Sequence, residues 1–200
     1  MKSINEYIQE KLIIKKRKYN YFPKTKKELQ DIIKKRIKQE GNEVDLNDID
    51  VSKITDMSGL FKYLENFNGD ISNWNVSNVT NMKYMFFGCN KFNQDISSWN
   101  VSNVMDMSIM FSACKNFNKD ISTWDVSNVK NMEYMFSECK LFNQDISNWD
   151  VSNVIDMEGM FYNCKAFNQD ISNWNVSNVT YRRDIFSFCS IKGKYKPKFR

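Results

Sequence analysis

The chain has 200 residues, of which 42% are hydrophobic, and it carries a net charge of +5. Only six glycines and two prolines are present, which excludes a chain dominated by disorder or linkers. No segment reaches the roughly 18–20 apolar residues of a membrane span, and residues 1–20 lack the apolar core of a signal peptide. We therefore expect a soluble, cytoplasmic protein; display on a cell surface or virion by a non-classical route is the alternative.

The charge is unevenly distributed along the chain. Residues 1–40 carry 13 Lys or Arg and 5 Asp or Glu, whereas residues 41–190 carry 11 and 19, and residues 191–200 add five basic residues. An acidic body with two basic ends suits contact with acidic partners. Nucleic-acid binding through the basic termini is an alternative that we do not favour, because the acidic body repels phosphate.

Residues 1–42 lie outside any repeat and predict a basic helical cap over the apolar start of the fold. A first helix is expected to begin near Ser3. A second begins at Thr25, which forms a capping box with Glu28, and it ends at Gly41. The apolar residues that recur at helical spacing are Ile4, Tyr7, Ile8 and Leu12 in the first helix and Leu29, Ile32, Ile33 and Ile37 in the second.

From residue 43 to residue 190 a unit of 25 residues recurs about six times. Its fully matched form reads F-N-x-D-I-S-x-W-[ND]-V-S-N-V-x-[ND]-M-x-x-M-F-x-x-C-x-x. A period this regular indicates one supersecondary unit that is copied and stacked. The invariant tryptophans and cysteines are Trp74, Trp99, Trp124, Trp149 and Trp174, and Cys89, Cys114, Cys139, Cys164 and Cys189. One cysteine per repeat predicts a column of buried thiols; disulfides between adjacent repeats are the alternative.

Each unit divides into two predicted elements. Ile71, Trp74 and Val76 predict a short strand, and the apolar residues of the segment 82–89 recur at helical spacing. We therefore expect an α/β repeat fold, a leucine-rich-repeat-like right-handed solenoid with short parallel strands and short helices. The basic residues 191–200 are then either a short closure of the last repeat or a flexible arm.

Positions that differ between the copies indicate which surface is free to bind a partner. They concentrate on the predicted helical side, at the offsets of Lys83, Tyr84 and Phe87, and we call the surface formed by these offsets in all repeats the variable flank. We expect the flank to bind a protein partner; drift at exposed positions without a partner is the alternative. The candidate binding residues are Lys83, Tyr84, Phe87, Ile109, Glu133, Tyr134, Glu158 and Tyr162.

Polar positions that do not vary predict structural ladders. The asparagines Asn78, Asn103, Asn128, Asn153 and Asn178 are expected to bond through their amides to the backbone at a tight corner. The aspartates Asp70, Asp95, Asp120, Asp145 and Asp170 are expected to cap turns by accepting backbone N–H bonds. A row of cation sites along these aspartates is the alternative.

Motifs for catalysis are missing from the sequence. The chain has no histidine, no nucleophile elbow and no glycine-rich phosphate loop, and each cysteine is one of five equivalents. Single cysteines 25 residues apart also lack the paired spacing of a zinc site. We therefore expect a non-enzymatic protein without cofactor or metal.

The repeat unit resembles that of the BspA-like leucine-rich-repeat surface proteins, a type also found in mycoplasma lipoproteins. The resemblance covers residues 43–190 and rests on the long F-N-Q-D-I-S-x-W motif with its invariant Met, Phe and Cys. It implies a leucine-rich-repeat-like solenoid with a role in adhesion or protein–protein contact, in a bacterial or phage-encoded protein. Because such arrays are open at their ends, an end-to-end homodimer through Phe186, Phe188 and Ile191 is a further arrangement that the sequence allows.

Overall fold

The structure, a computed structural model, describes residues 19–199. Helix α1, Lys26–Glu40, precedes the repeats, and a 3-10 helix, Gly193–Tyr195, follows them. The helix predicted near Ser3 lies outside the described residues. Between these two elements the described chain contains no further helix and no strand, and it consists of turns and isolated β-bridges.

Helix α1 has the ends that the sequence predicts. The hydroxyl oxygen of Thr25 accepts a hydrogen bond of 3.2 Å from the backbone N–H of Glu28. Gly41 follows the helix with a φ of 90°, and its N–H donates to the Ile37 carbonyl over 2.9 Å. The Glu28 carboxylate accepts from the N–H of Lys24, one residue earlier than a standard capping box requires.

Helix α1 packs against the first repeat. Leu29 and Ile33 are buried in the same core as the repeat residues. Arg36, the polar residue on this face, is also buried and pairs with the carboxylates of Glu40 and Asp48. The hydrogen bond from Glu40, followed by that from Asp48, raises the pKa of Arg36 above its ordinary value despite burial. These contacts fix the helix over one end of the stack.

Successive repeats stack in register, 25 residues apart. The isolated parallel bridges of the stack pair Asp56 with Asn81, Asn81 with Asp106, Asp106 with Asn131, Asn131 with Asp156, and Asp156 with Tyr181. In the turn segment of each repeat alternate N–H groups point to the next repeat; that of Tyr84, for example, donates to the Ser108 carbonyl over 3.0 Å. The intervening N–H groups close turns within the repeat, as Met85 does with the Met82 carbonyl at 3.1 Å.

The strand and helix predicted within each repeat are therefore wrong for the described residues. The N–H of Trp74 donates to the Ile71 carbonyl three residues earlier, so this segment is a turn and not an extended strand. Tyr84 and Gly88 have φ values of 59° and 76°, which a right-handed helix excludes. The helical spacing over residues 82–89 marks the side chains that a series of turns directs inward.

Columns of aromatic rings fill the core of the stack. Phe86 lies 5.5 Å from Phe111 of the next repeat at an interplanar angle of 6°, and 4.0 Å from Phe92 of its own unit. Trp99 and Trp124 stack at 6.5 Å and 1°. Since the same residue recurs at the same place in each layer, one packing solution serves every interface between repeats.

Residues 191–199 lie against the last repeat. Ile191 is buried, and the Tyr195 carbonyl accepts a hydrogen bond of 3.0 Å from the N–H of Ile171. Tyr195 and Phe199 pack on the core. For these residues the structure favours the closing segment over the flexible arm.

A second row of asparagines, which the sequence analysis did not single out, also joins the repeats. The Oδ1 atom of Asn93 accepts a hydrogen bond of 3.0 Å from the N–H of Asn118, and Asn118 does the same for Asn143 at 2.9 Å. The row comprises Asn68, Asn93, Asn118, Asn143 and Asn168. The signal for it was the invariant asparagine that follows each phenylalanine in the F-N motif.

Replacing Asn118 tests how much these side-chain bonds stabilise the stack. Its Oδ1 atom also accepts from Nε2 of Gln144 at 2.9 Å, so Asn118→Ala leaves two donors of the next repeat unpaired. We expect the free energy of unfolding to fall by about 1–3 kcal/mol, measured by urea denaturation.

Asn118→Asp is the matched control, because a carboxylate oxygen keeps the acceptor in place. We expect it to lose less than half as much stability as the alanine variant. Equal losses in the two variants would show that the acceptor at this position does not stabilise the stack.

Candidate functional site

The predicted ladder residues bond each repeat to the one before it. Nδ2 of Asn103 donates to the Ser77 carbonyl over 2.7 Å, and the indole N–H of Trp99 donates to the Ile71 carbonyl over 3.2 Å. Equivalent bonds are made by Asn78, Asn128, Asn153 and Asn178, and by Trp74, Trp124, Trp149 and Trp174. These two columns are thus occupied by contacts between repeats.

The cysteines are free thiols, and four of the five are buried. The Sγ atom of Cys89 donates to the Phe61 carbonyl over 3.0 Å, and burial raises the pKa of Cys89 to about 12. Burial also raises the pKa of the thiols at Cys114, Cys139, Cys164 and Cys189, of which Cys189 is only half-buried. Protonated thiols are poor nucleophiles and poor metal ligands.

The invariant aspartates lie at turns. The Oδ1 atom of Asp95 accepts a hydrogen bond of 3.0 Å from the N–H of Ser97, and this bond lowers the pKa of Asp95. The same bond is made by Asp70, Asp120, Asp145 and Asp170. The offsets of Asn100 and Asp106, which the sequence analysis did not assign, form two further turns of this kind. Among residues 19–199, no three acidic or cysteine side chains come together as a metal site requires.

The variable flank has an unusual backbone. Two positions in each of six repeats have a positive φ, yet only three of the twelve residues are glycine. They are Gly59, Tyr84, Ile109, Tyr134, Gly159 and Asp184 in one row, and Tyr63, Gly88, Ala113, Glu138, Asn163 and Phe188 in the other. For a residue with a Cβ this conformation costs roughly 1–2 kcal/mol, and most for a β-branched residue such as Ile109 at 60°. The hydrogen bonds between repeats hold the backbone in it.

The half of the flank nearer to α1 is basic and aromatic. Nζ of Lys62 lies 4.7 Å from the ring centre of Tyr84, 5.1 Å from that of Tyr63 and 5.7 Å from that of Phe87. Nζ of Lys83 lies 5.3 Å from the ring centre of Tyr84. The sequence analysis did not select Lys62, although it occupies the offset of Phe87 in the preceding repeat.

The other half of the flank is acidic. The Tyr134 hydroxyl donates to Oε1 of Glu158 over 3.3 Å, and the Tyr134 ring covers Gly159. Glu133 is half-buried near Glu158 and Asp156; desolvation first, and then these like charges, raise its pKa. The flank therefore changes sign along the stack.

The structure brings all eight predicted binding residues onto one flank, each of them half-buried. Ile109 separates the basic half from the acidic half. Tyr162 lies at the far end, where its ring meets Phe188 at 5.5 Å edge to face. Half-burial holds these side chains in place and still leaves part of each accessible to a partner.

Near-identical units that bond to each other through backbone and side-chain ladders define a repeat protein. A family model described as "Mycoplasma protein of unknown function, DUF285" matches the chain over residues 27–140 and 98–195. The chain belongs to this family, a repeat family related to the BspA-like surface proteins. Comparisons with curated proteins and with solved structures give no match. Within residues 19–199 no helix has the length and apolar character to cross a membrane.

A glycine substitution tests the position of Tyr134. An alanine Cβ at Gly159 would lie 2.2 Å from the Tyr134 ring, whereas one at Gly59 would meet only Lys62, at 3.9 Å. Because both glycines have a φ near 60°, the two substitutions carry the same backbone cost. We expect Gly159→Ala to lower the free energy of unfolding by about 1–3 kcal/mol more than Gly59→Ala does.

The same pair of substitutions in a Tyr134→Ala background is the control. Removal of the ring removes the clash, so the two alanine variants should then be equally stable. An excess cost at position 159 that persists without the ring would show that Tyr134 does not cover Gly159.

The buried thiols predict a loss of stability in alkali. An unfolded thiol ionises near its ordinary pKa of 9.0, whereas Cys89 in the folded protein does so at about 12. Stability present below pH 9 is therefore lost as the pH rises toward 12, by up to about 1.4 kcal/mol per pH unit for each thiol. We expect Cys89→Ala to show a shallower fall in the free energy of unfolding than the wild type above pH 9, measured under reducing conditions. Parallel pH profiles would contradict the protonated, buried thiol.

Proposed function

We propose that this protein is a non-enzymatic repeat scaffold that binds a protein partner through its variable flank. We further propose that the repeats form a right-handed, leucine-rich-repeat-like solenoid and that the protein works in the cytoplasm. One observation supports the binding role above all. The side chains that differ between repeats lie on a backbone that is the same in every repeat.

A constant backbone with variable side chains is the arrangement that binding surfaces on rigid scaffolds share. Along the flank the N–H groups of Tyr84, Ile109 and Tyr134 donate to the next repeat at 3.0, 2.7 and 2.7 Å. These bonds fix the spacing of the side chains, so a partner would meet a preformed surface and little ordering entropy would be lost on binding.

The residue types on the flank also favour binding to protein. Tyrosine offers a large contact area with a polar end at low conformational cost, and it is enriched where protein surfaces meet. Tyr84, Tyr134 and Tyr162 are each half-buried, and charged residues lie beside them. Drift without a partner would not favour aromatic residues on a solvated surface.

An adhesin is the second candidate. The relation of the family to BspA-like surface proteins supports it, with a host protein or glycan as the ligand. Protease treatment of intact native cells distinguishes the two candidates. Digestion of the protein on intact cells would support the adhesin, and protection until lysis would support the intracellular scaffold.

Affinity capture from native lysate tests the binding role. The tagged wild type is compared with a variant in which Tyr84, Tyr134 and Tyr162 are all changed to Ser. We expect a protein that the wild type retains and the variant loses at least about tenfold, because aromatic anchors supply much of the energy of an interface.

The matched control changes three exposed apolar residues outside the flank, Met105, Leu141 and Ile155, to Ser. It removes a similar amount of apolar surface and should capture the partner as the wild type does. Equal capture by all three proteins would place the binding site elsewhere on the stack.

A further inference from the structure

The central row of the variable flank reads the same in both directions. From the α1 end it runs Gly59, Tyr84, Ile109, Tyr134 and Gly159. Each of these residues donates its N–H to the next repeat over 2.7–3.0 Å, so the five residues form a straight row of equal steps. With a spacing of ~4.8 Å between neighbouring backbones, the row is ~19 Å long and Ile109 is at its middle.

Charges beside the row reverse sign about the same midpoint. Lys83 lies one repeat before Ile109, and Glu133 occupies the same offset one repeat after it. Two repeats before the midpoint Lys62 extends toward Tyr84, and two repeats after it lies Glu158. Each basic position therefore has an acidic counterpart at an equal distance on the other side of Ile109.

A surface that is symmetric in shape and opposite in charge about one point is complementary to a reversed copy of itself. We propose that the variable flank is an isologous interface at which two copies of this chain pair antiparallel. The two-fold axis lies in the contact plane, at right angles to the stack and beside Ile109. This inference rests on the proposed function, because it assigns a partner to the same flank.

The two-fold arrangement generates specific contacts. Tyr84 of one copy meets Tyr134 of the other, and the two Ile109 side chains meet at the axis. Lys83 pairs with Glu133 of the other copy, and this pair forms twice. Gly59 and Gly159 lie at the ends of the row, and the space over Gly159 is the one that the Tyr134 ring fills.

The reversal of charge also argues against a parallel pair and against an unrelated partner. In a parallel pair Lys83 would face Lys83 and Glu133 would face Glu133, which repel each other. An unrelated partner would not require that the residues of the central row be the same in both directions. Because five repeats offer a small contact, we expect a weak dimer, with a Kd of about 10–100 µM.

Charge reversal of the two residues, alone and in mixture, tests the inference. Sedimentation velocity of the full chain is measured from about 1 µM to about 500 µM, a range that spans this affinity. We expect the wild type to reach the dimer mass, and Lys83→Glu and Glu133→Lys each to associate at least about tenfold more weakly. An equal mixture of these two variants should dimerise again, because every ion pair is restored with its sign inverted. A wild type that stays monomeric, or a mixture that does not recover, overturns the inference.

Both substitutions are compatible with the fold, since Lys83 and Glu133 occupy the same offset and each introduces a residue that this offset already holds. A third variant, Ile109→Asp, places two like charges at the axis and should abolish association. The equivalent residue of the last repeat is Asp184, with a φ of 56°, so aspartate suits this backbone. Association of the Ile109→Asp variant at wild-type strength would exclude the axis.

Capture from lysate by the same variants separates this inference from the proposed function. If the chain is monomeric but still retains another protein through Tyr84 and Tyr134, the inference fails and the proposed function stands. If the mixed variants recover the dimer, the inference stands whether or not a further protein is captured.

Discussion

The hydrogen bonds between the backbones of adjacent repeats are the constraint on which the rest of the structure depends. In the turn segment alternate N–H groups have no acceptor within their own repeat and find one 24 residues later, as Tyr84 does at Ser108. A buried amide without a partner is costly, so one repeat cannot form this conformation in the absence of its neighbour. The ends of the stack need other partners, which α1 and residues 191–199 supply at least in part.

Register follows from this constraint and limits which residues can occupy the interior. Every side chain in a column must pack against a copy of itself one layer away. Phenylalanine rings stack in parallel, as Phe86 and Phe111 do, and asparagine amides bond from layer to layer. Aspartates in a column would repel each other, and the bond that each accepts from a nearby serine N–H stabilises its charge. Invariance along the columns thus reflects packing and hydrogen bonding, with no need for a shared catalytic role.

The variable flank follows a different rule because the constraint there acts on the backbone alone. Positive φ at Tyr84, Ile109 and Tyr134 is imposed by bonds to the next repeat and not by the residue type. The side chains are then free to differ, at a cost in stability that the stack as a whole offsets. Their sum is a surface with a basic aromatic half and an acidic half that meet at Ile109, and its partner is chosen by charge as well as by shape.

The sequence by itself determined the 25-residue period, the limits of α1, and which residues form the buried columns, because identical spacing and strong capping signals are local and leave few alternatives. It misassigned the strand and helix within each repeat, since an inward side chain every three or four residues is common to a helix and to a series of turns. Only the tertiary structure decided the left-handed positions at Tyr84 and Ile109, where no glycine signals the turn and the backbone conformation is set by hydrogen bonds to another repeat. The same is true of the grouping of Lys62 with Tyr63 and Phe87, which are brought together by contacts between layers.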